Sequence, residues 1–170
     1  MKAFGFLSFG HYGHGRGPGD PDAGQALKEA VEIAVGADEI GVNGAYWRVH
    51  HYARQAAAPI PLLSAAGART RRIEVGTGVI DMRYENPLYL AEEVAALDLL
   101  TDQRIAIGIS RGSPEQARRG WETFGYTGGV DPRGVDVAHA HTAQFLDAVR
   151  GVPQADLDTS GGMAPGASSR

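Results

Sequence analysis

The chain has 170 residues, which suits a single domain, and its 43% hydrophobic and 21% charged residues are typical of a globular protein. A net charge of −4 argues against nucleic acid or an anionic membrane as a partner, and the lack of cysteine excludes disulfides and thiolate metal sites. No apolar run is long enough to cross a membrane and no signal peptide is visible, so we expect a cytoplasmic protein.

The first half of the chain alternates short apolar runs with helical patterns. Residues 3–9 are predicted to form a strand, which a glycine-rich loop follows. Asp20-Pro21 is typical of a helix cap and first helical residue, and this helix is predicted to run to about Ile40. Further along, we expect a strand at 42–48, a shorter helix at 61–69 and a third strand at 72–80.

The second half continues the alternation. Asn86-Pro87 predicts another helix start, and the helix extends to Leu100. The apolar run 105–109 indicates a fourth strand, and Ser113 is predicted to cap a helix at 114–120. A glycine-rich bend leads to a last helix at 135–149. Residues 151–170 are rich in glycine, serine and proline, so we expect a domain at 1–150 and a flexible tail at 151–170.

Four successive strand–helix units predict an α/β fold with one parallel sheet in the order 1-2-3-4. Ligands of such sheets bind at the carboxyl ends of the strands. Polar residues follow each strand here, so they should meet at one rim. They are His11, Tyr12 and His14 after the first strand; His50, His51, Tyr52 and Arg54 after the second; Asp81, Arg83, Tyr84 and Glu85 after the third; and Ser110, Arg111 and Ser113 after the fourth.

Each of these candidates has a plainer interpretation. Arg111 beside a helix start would form an anion site with free backbone amides, or it is an ordinary surface residue. The pair His50-His51 is either catalytic or simply solvated. Because the side chains of adjacent residues point apart, the two histidines cannot have the same role. No histidine or carboxylate falls at a metal-ligand spacing, so we expect no metal site.

Several blocks of the sequence resemble one known family. The segments GFLSFGHY, VHHYARQ, RIEVGTGVIDMRYENPLYLAEEVAALDLL and RIAIGISRGSPE occur in the order and spacing of the bacterial luciferase-like flavin-dependent monooxygenases. The resemblance covers about residues 3–125. It implies a parallel (β/α)8 barrel of the TIM type, with reduced flavin at the carboxyl rim. The flavin would be FMN, or the deazaflavin F420 as an alternative, with a separate flavin reductase as a possible partner.

The resemblance also implies roles for individual residues. His50 matches the first histidine of the family's Glu-His-His-Phe motif, which acts as a catalytic base beside the flavin. Arg111 matches the arginine that binds the flavin phosphate. Gly78-Val79 matches a non-proline cis peptide under the flavin ring. We therefore expect cofactor contacts from Gly78, Val79, Ser110, Arg111, Gly112 and Ser113, and substrate contacts from His11 and Tyr84.

The sequence departs from the family pattern at several places. The glutamate before the histidine pair is Val49, the phenylalanine after it is Tyr52, and the Gly-Gly of a Gly-Gly-Arg turn is Asp102-Gln103. A full barrel needs about 250 residues, and only the first four β-α units are visible. Two hypotheses follow: a monooxygenase acting on a small organic substrate with O2, or an inactive half barrel that binds flavin weakly or serves only in assembly. Its open sheet edges predict a homo-oligomer.

Overall fold

The computed structural model describes residues 3–13, 19–112 and 117–156. Four strands alternate with helices along the chain. They are β1 (Gly5–Ser8), α1 (Ala23–Glu39), β2 (Gly44–Trp47), α2 (Pro59–Arg69), β3 (Glu74–Asp81), α3 (Pro87–Leu100), β4 (Ile105–Ser110), a 3₁₀ turn (Gly120–Phe124) and α4 (Val135–Val149). The alternation confirms the predicted α/β fold.

The strands form one parallel sheet in the order β1-β2-β3-β4, as predicted. Helices α1 to α4 pack consecutively against one another beside the sheet. All the carboxyl ends therefore lie at one edge, and the four polar loops share a rim. The register between β3 and β4 shifts between Thr77 and Ile80, which marks a bulge close to that rim.

Two apolar clusters hold the helices to the sheet. The larger one joins β2 and β3 to α1 and α2, with Ala34, Trp47, Leu63 and Val75 almost fully buried. The smaller one joins the end of β3 to α3 and α4 and includes Val49, where the family has glutamate. Val49 is 3% exposed and packs in this apolar cluster, so the side chain at this position serves the core here.

Some predicted boundaries were wrong. The first helix is capped by Asp22, whose Oδ1 accepts from the Gln25 amide at 2.8 Å, and not by Asp20. Pro59 supplies the early proline of α2, two residues before the predicted start. Asn86 caps α3 as expected, accepting from the amides of Leu88 and Tyr89.

The prediction of a helix at 114–120 is also wrong for residues 117–120, the described part of that range. Residues 117–119 form a bend and turn, and a 3₁₀ turn follows from Gly120 to Phe124. Arg119 takes a left-handed φ of 53°, which an α-helix does not contain. The predicted cap Ser113 lies outside the described residues. Of the predicted tail, residues 151–156 are exposed and 157–170 lie outside the described part.

In the described parts of the chain, none of the helices has the length and apolar character needed to span a membrane.

Candidate functional site

A small cavity at the carboxyl ends of β2, β3 and β4 brings together four of the predicted site residues. Its volume is about 210 Å³. We call it the rim cavity, and it is lined by Arg48, Val49, His50, Val79, Asp81, Ser110 and Gly112. The parallel sheet explains this convergence, because the chain leaves every strand at the same edge.

His50 is held in place by two contacts. Its backbone amide donates to the carbonyl of Ala56 at 3.0 Å, and its ring Nε2 lies 3.0 Å from Nη2 of Arg48. A guanidinium can only donate, so Nε2 accepts and the proton of the neutral ring resides on Nδ1. Burial lowers the pKa of His50, the positive charge of Arg48 lowers it further, and Asp81 acts in the opposite direction. The ring is therefore neutral at pH 7.

Glycines form the wall of the sheet beside the rim cavity. The peptide between Gly78 and Val79 is cis, as the resemblance implies. A Cβ on Gly78 would come within 2.8 Å of the Leu7 side chain, and one on Gly108 would come within 2.9 Å of Val79 Cγ1. Neighbouring side chains therefore already occupy the space that a side chain at either position would need, which explains why both residues are glycine.

A second depression lies directly beside the rim cavity and is strongly basic. It has a volume of about 380 Å³. We call it the basic cleft, and it is lined by Arg83, Arg111, Gly112, Ala117, Arg118, Arg119, Trp121, Pro132, Arg133 and Val135. Gly112 lines both depressions, so the two form a continuous site.

The arginines of the basic cleft differ in how they are paired. Arg83 is buried and ion-paired with Asp81, and Arg119 lies 2.7 Å from the Glu122 carboxylate. Within the described residues, no ion pair or hydrogen bond engages the side chains of Arg111, Arg118 or Arg133. These three guanidiniums can therefore bind an anionic ligand group without first breaking an existing pair.

Gly112 has a structural reason to be glycine. Its φ is +83°, which favours glycine, and a Cβ there would overlap the Arg83 guanidinium and the Asp81 carboxylate. The ion pair of Arg83 with Asp81 thus packs directly under the backbone that links the two depressions. Ser110 supports the same turn, since its Oγ accepts from the Gly112 amide at 3.1 Å.

His51 and Tyr84 lie in an aromatic cluster behind the rim cavity. Their rings stack with centroids 4.3 Å apart, and Phe124 packs edge-on against both. Tyr84 is 3% exposed and does not line the rim cavity. Tyr52 adds a hydrogen bond to the Gly120 carbonyl at 3.2 Å. This cluster fixes the 3₁₀ turn against the loop that carries His50.

His11 is exposed on the loop after β1. Its ring stacks on Phe9 with centroids 5.4 Å apart, and its Nε2 lies 2.6 Å from the Gln55 amide nitrogen. It does not line the rim cavity, although it is one of the groups that lower the pKa of His50. Of the predicted residues, then, His11 and Tyr84 are not brought into the cavity, and their contact with a substrate stays a prediction. Ser113 lies outside the described residues.

Arg48 and Trp121 are site residues that the sequence did not predict, whereas Asp81 was predicted at the rim without a role. Arg48 was assigned to the second strand, although its spacing of two from His50 places both side chains on the same face of an extended chain. The Arg83 guanidinium lies over the Trp121 ring, 4.7 Å from the ring centroid. No short motif marks Trp121, because the contact arises from the loop that folds back after β4.

Comparison with known proteins identifies the family. A family model described as "Luciferase-like monooxygenase" matches residues 3–162. The chain is 33% identical over 109 residues to 4-hydroxyprotoasukamycin monooxygenase of Streptomyces nodosus subsp. asukaensis, covering 63% of this chain and 29% of that protein. It is 29% identical over 93 residues to an F420-dependent glucose-6-phosphate dehydrogenase of Amycolatopsis mediterranei, covering 50% of this chain and 27% of the relative.

A solved structure shows the same fold. It is the oxygenating constituent of 3,6-diketocamphane monooxygenase from Pseudomonas putida in complex with FMN, with a TM-score of 0.68 and 20% identity. The match covers 84% of this chain and 38% of that one. The chain thus spans well under half the length of the proteins it matches here. The four parallel β-α units and the match over most of its residues show that the chain belongs to the luciferase-like monooxygenase family.

Proposed function

We propose that this chain provides the cofactor half of a flavin-dependent monooxygenase that uses reduced FMN and O2 to oxidise a small organic substrate. One observation carries the proposal: a basic cleft suited to a phosphate adjoins a cavity that holds a neutral histidine and Val79 of the cis peptide. A ligand with an anionic tail and a flat ring matches this arrangement. A reduced flavin would supply the electrons that activate O2.

Arg111 is the proposed phosphate ligand, and Gly112 and Ser110 are proposed to form the adjoining turn, which the Gly112 amide holds by donating to Ser110 Oγ. Arg111 is exposed and unpaired within the described chain, in a cleft that contains two further unpaired guanidiniums. Ser113 is proposed as an additional contact. Gly78 and Val79 would lie under the ring. F420 is the alternative cofactor, since F420-dependent dehydrogenases are among the relatives and F420 likewise carries anionic groups.

His50 is proposed as the base. Its neutral ring can accept a proton at Nε2 once Arg48 no longer occupies that lone pair, and its Nδ1 proton is free to donate. His11 and Tyr84 stay candidates for substrate contact. The proposal further includes a separate flavin reductase that supplies the reduced cofactor and a cytoplasmic location.

The phosphate role is tested by comparing FMN with riboflavin. In Arg111→Met, FMN binding should weaken about ten- to a hundredfold, because a charge-assisted contact contributes roughly 1.5 to 3 kcal/mol. Riboflavin lacks the phosphate, so its affinity should hardly change. Arg71→Met, at an exposed arginine near the amino ends of the strands, is the matched control. Equal losses for both ligands would rule out the phosphate role of Arg111.

A second candidate function is assembly without catalysis, and exposed apolar side chains favour it. Phe4, Leu7, Phe9 and Val79 are 55%, 47%, 41% and 38% exposed on or beside the sheet. Covering them by a second copy would remove apolar surface from water. We therefore propose a homo-oligomer, dimer or larger. Sedimentation should give a mass of at least twice 17.9 kDa; a monodisperse monomer that binds no apolar dye would contradict self-association.

A further inference from the structure

Arg48 occupies the rim cavity in an unusual electrostatic position. Its Nη2 lies 3.0 Å from His50 Nε2, and its guanidinium lies over the Phe9 ring at 5.1 Å from the centroid. Neither contact supplies a negative charge. Its Nε is buried and has no hydrogen-bond partner among the described residues. A partly buried guanidinium normally pairs with a carboxylate, because desolvation without a partner is costly.

The carboxylate in the same cavity, that of Asp81, is already paired with another arginine. Asp81 also lines the cavity, but both its oxygens accept from Arg83, whose Nε lies 2.9 Å from Oδ1 and 3.0 Å from Oδ2. Asp81 and Arg83 therefore neutralise each other. No salt bridge joins Arg48 to an acid within the described part of the chain. The positive charge of Arg48 therefore has no ion-pair partner among the described residues, and it lies beside His50 in the rim cavity.

We propose that Arg48 binds an anionic oxygen of the substrate, so that the rim cavity selects small molecules bearing a carboxylate or a phenolate. This inference rests on the proposed function, because it assigns the substrate class of the same site. Arg48 presents a planar fork of N–H groups, which matches a carboxylate in geometry as well as in charge.

The same contact connects substrate binding to the proposed base. In the structure Arg48 donates to the lone pair of His50 Nε2, which is the pair that a base must offer to a proton. A substrate anion competes for the Arg48 donors and adds a negative charge beside the ring. The lone pair is then released, and protonation of the ring becomes easier. The base is therefore activated only when an anionic substrate is present.

Burial and three neighbouring groups act on the pKa of His50. Burial and the charge of Arg48 lower the pKa of His50, and His11 adds a smaller effect in the same direction. Asp81 raises it. Adjacent His51 has its own pKa lowered, chiefly by burial. Arg48 is the nearest positive group to His50 and the one that a bound anion would neutralise.

The experiment compares benzoate with its neutral counterpart benzamide, using the full chain without flavin. Isothermal titration should show benzoate binding at least tenfold more tightly than benzamide. Arg48→Met should abolish that preference by weakening benzoate about ten- to a hundredfold, and Arg48→Lys should keep part of it. Arg71→Met is the control with the same change of charge, and it should retain the wild-type preference.

A second readout follows the ring of His50 by NMR titration. Benzoate should raise the pKa of His50 in the wild-type chain and leave it unchanged in Arg48→Met. Equal wild-type affinities for benzoate and benzamide, or unaltered benzoate binding in Arg48→Met, would overturn the inference. The FMN and riboflavin comparison at Arg111 is independent of these measurements, so failure of the substrate assignment is distinguishable from failure of the proposed function.

Discussion

The polar groups at the two ends of the sheet differ in how fully they are hydrogen-bonded. At the amino end, Asp38 accepts from the amides of Arg71, Arg72 and Ile73 at 2.8 to 3.0 Å. Arg104 nearby donates to the carbonyls of Gly67, Thr70 and Ile73, although its Nε has no partner in the described chain. These contacts fasten the start of β3 and β4 to the helices.

At the carboxyl end, donors are left unused. Arg48 Nε, His51 Nε2 and Trp121 Nε1 are buried without a hydrogen-bond partner among the described residues. Arg111 adds a charge that has no ion pair within the described part of the chain. Unsatisfied buried polar atoms lower stability, and two of the residues that carry them, Arg48 and Trp121, line the rim cavity and the basic cleft. The difference teaches that the amino end is fastened by its hydrogen bonds, whereas the carboxyl end, where the proposed site lies, keeps polar groups available.

The largest effect should distinguish two adjacent histidines at the carboxyl end. His50→Ala should lower the substrate-dependent rate with reduced FMN and O2 by about 10² to 10⁴, since it removes the proposed base, while FMN affinity stays within a few-fold. His51→Ala should mainly reduce the free energy of unfolding, because His51 stacks on Tyr84. Turnover that survives His50→Ala would remove His50 from the mechanism.

At the amino end, Asp38→Ala should lower the free energy of unfolding by about 3 kcal/mol, because one buried and two partly buried amides lose a charged acceptor. Burial by itself would raise the pKa of Asp38, but the three amide hydrogen bonds outweigh it and the pKa is lowered. Glu39→Ala, at the exposed neighbouring position, is the control. Urea unfolding measures both variants, and similar losses would show that the amide cluster is not what stabilises this end.

Glu85 should make the carboxyl end sensitive to pH. Burial, with smaller effects from Glu93 and Asp81, raises the pKa of Glu85 to about 7. The folded chain then holds a proton that the unfolded chain releases near 4.5, so stability falls as the pH rises from about 4.5 to 7. Glu85→Gln should match the wild type at pH 4 and be more stable at pH 8, by about 1 to 3 kcal/mol.

Chemical unfolding at pH 4, 6 and 8 measures this dependence. Glu92→Gln, at an exposed position on α3, provides the comparison, and its effect on the free energy of unfolding should stay close to zero throughout. A difference between Glu85→Gln and the wild type that does not change with pH would show that Glu85 does not titrate in this window.

The smallest effect should come from the turn before β4. Asp102 and Gln103 have φ angles of 53° and 62°, a left-handed conformation that costs residues other than glycine energy. Gln103→Gly should therefore stabilise the chain by about 0.5 kcal/mol, and Asp102→Gly less, because aspartate tolerates this conformation better. Gln144→Gly inside α4 should instead destabilise by about 1 kcal/mol. Thermal unfolding that shows a loss for Gln103→Gly would contradict the strain.

The parts of this structure that follow from local pattern were predictable from sequence. Alternating strands and helices require parallel pairing, and parallel pairing brings His50, Ser110 and Gly112 to one rim. The cap at Asn86 was found because asparagine followed by proline is a local signal. Asp22 was missed because Asp20-Pro21 offers the same signal two residues earlier.

The unpredicted parts depend on contacts between distant segments. Arg83 pairs with Asp81, the carboxylate of the rim cavity, and only the folded structure reveals that Arg48 then has no acidic partner among the described residues. The segment after β4 resembles a helix start in sequence. In its described part, however, Arg119 has a left-handed backbone conformation and Trp121 packs against arginines, so the chain forms a 3₁₀ turn instead of an α-helix. Tertiary contacts override the local preference there.

The division between the two ends is tested most directly by mapping backbone amide shifts during an FMN titration of the labelled chain. The account predicts that the amides of His50, Ser110 and Gly112 and of residues 117–121 shift as FMN binds. The amides of residues 71–73, which Asp38 holds at the opposite end, should not move. Shifts centred on residues 71–73, or an unchanged rim at high FMN concentration, would contradict the assignment of the carboxyl end as the cofactor site.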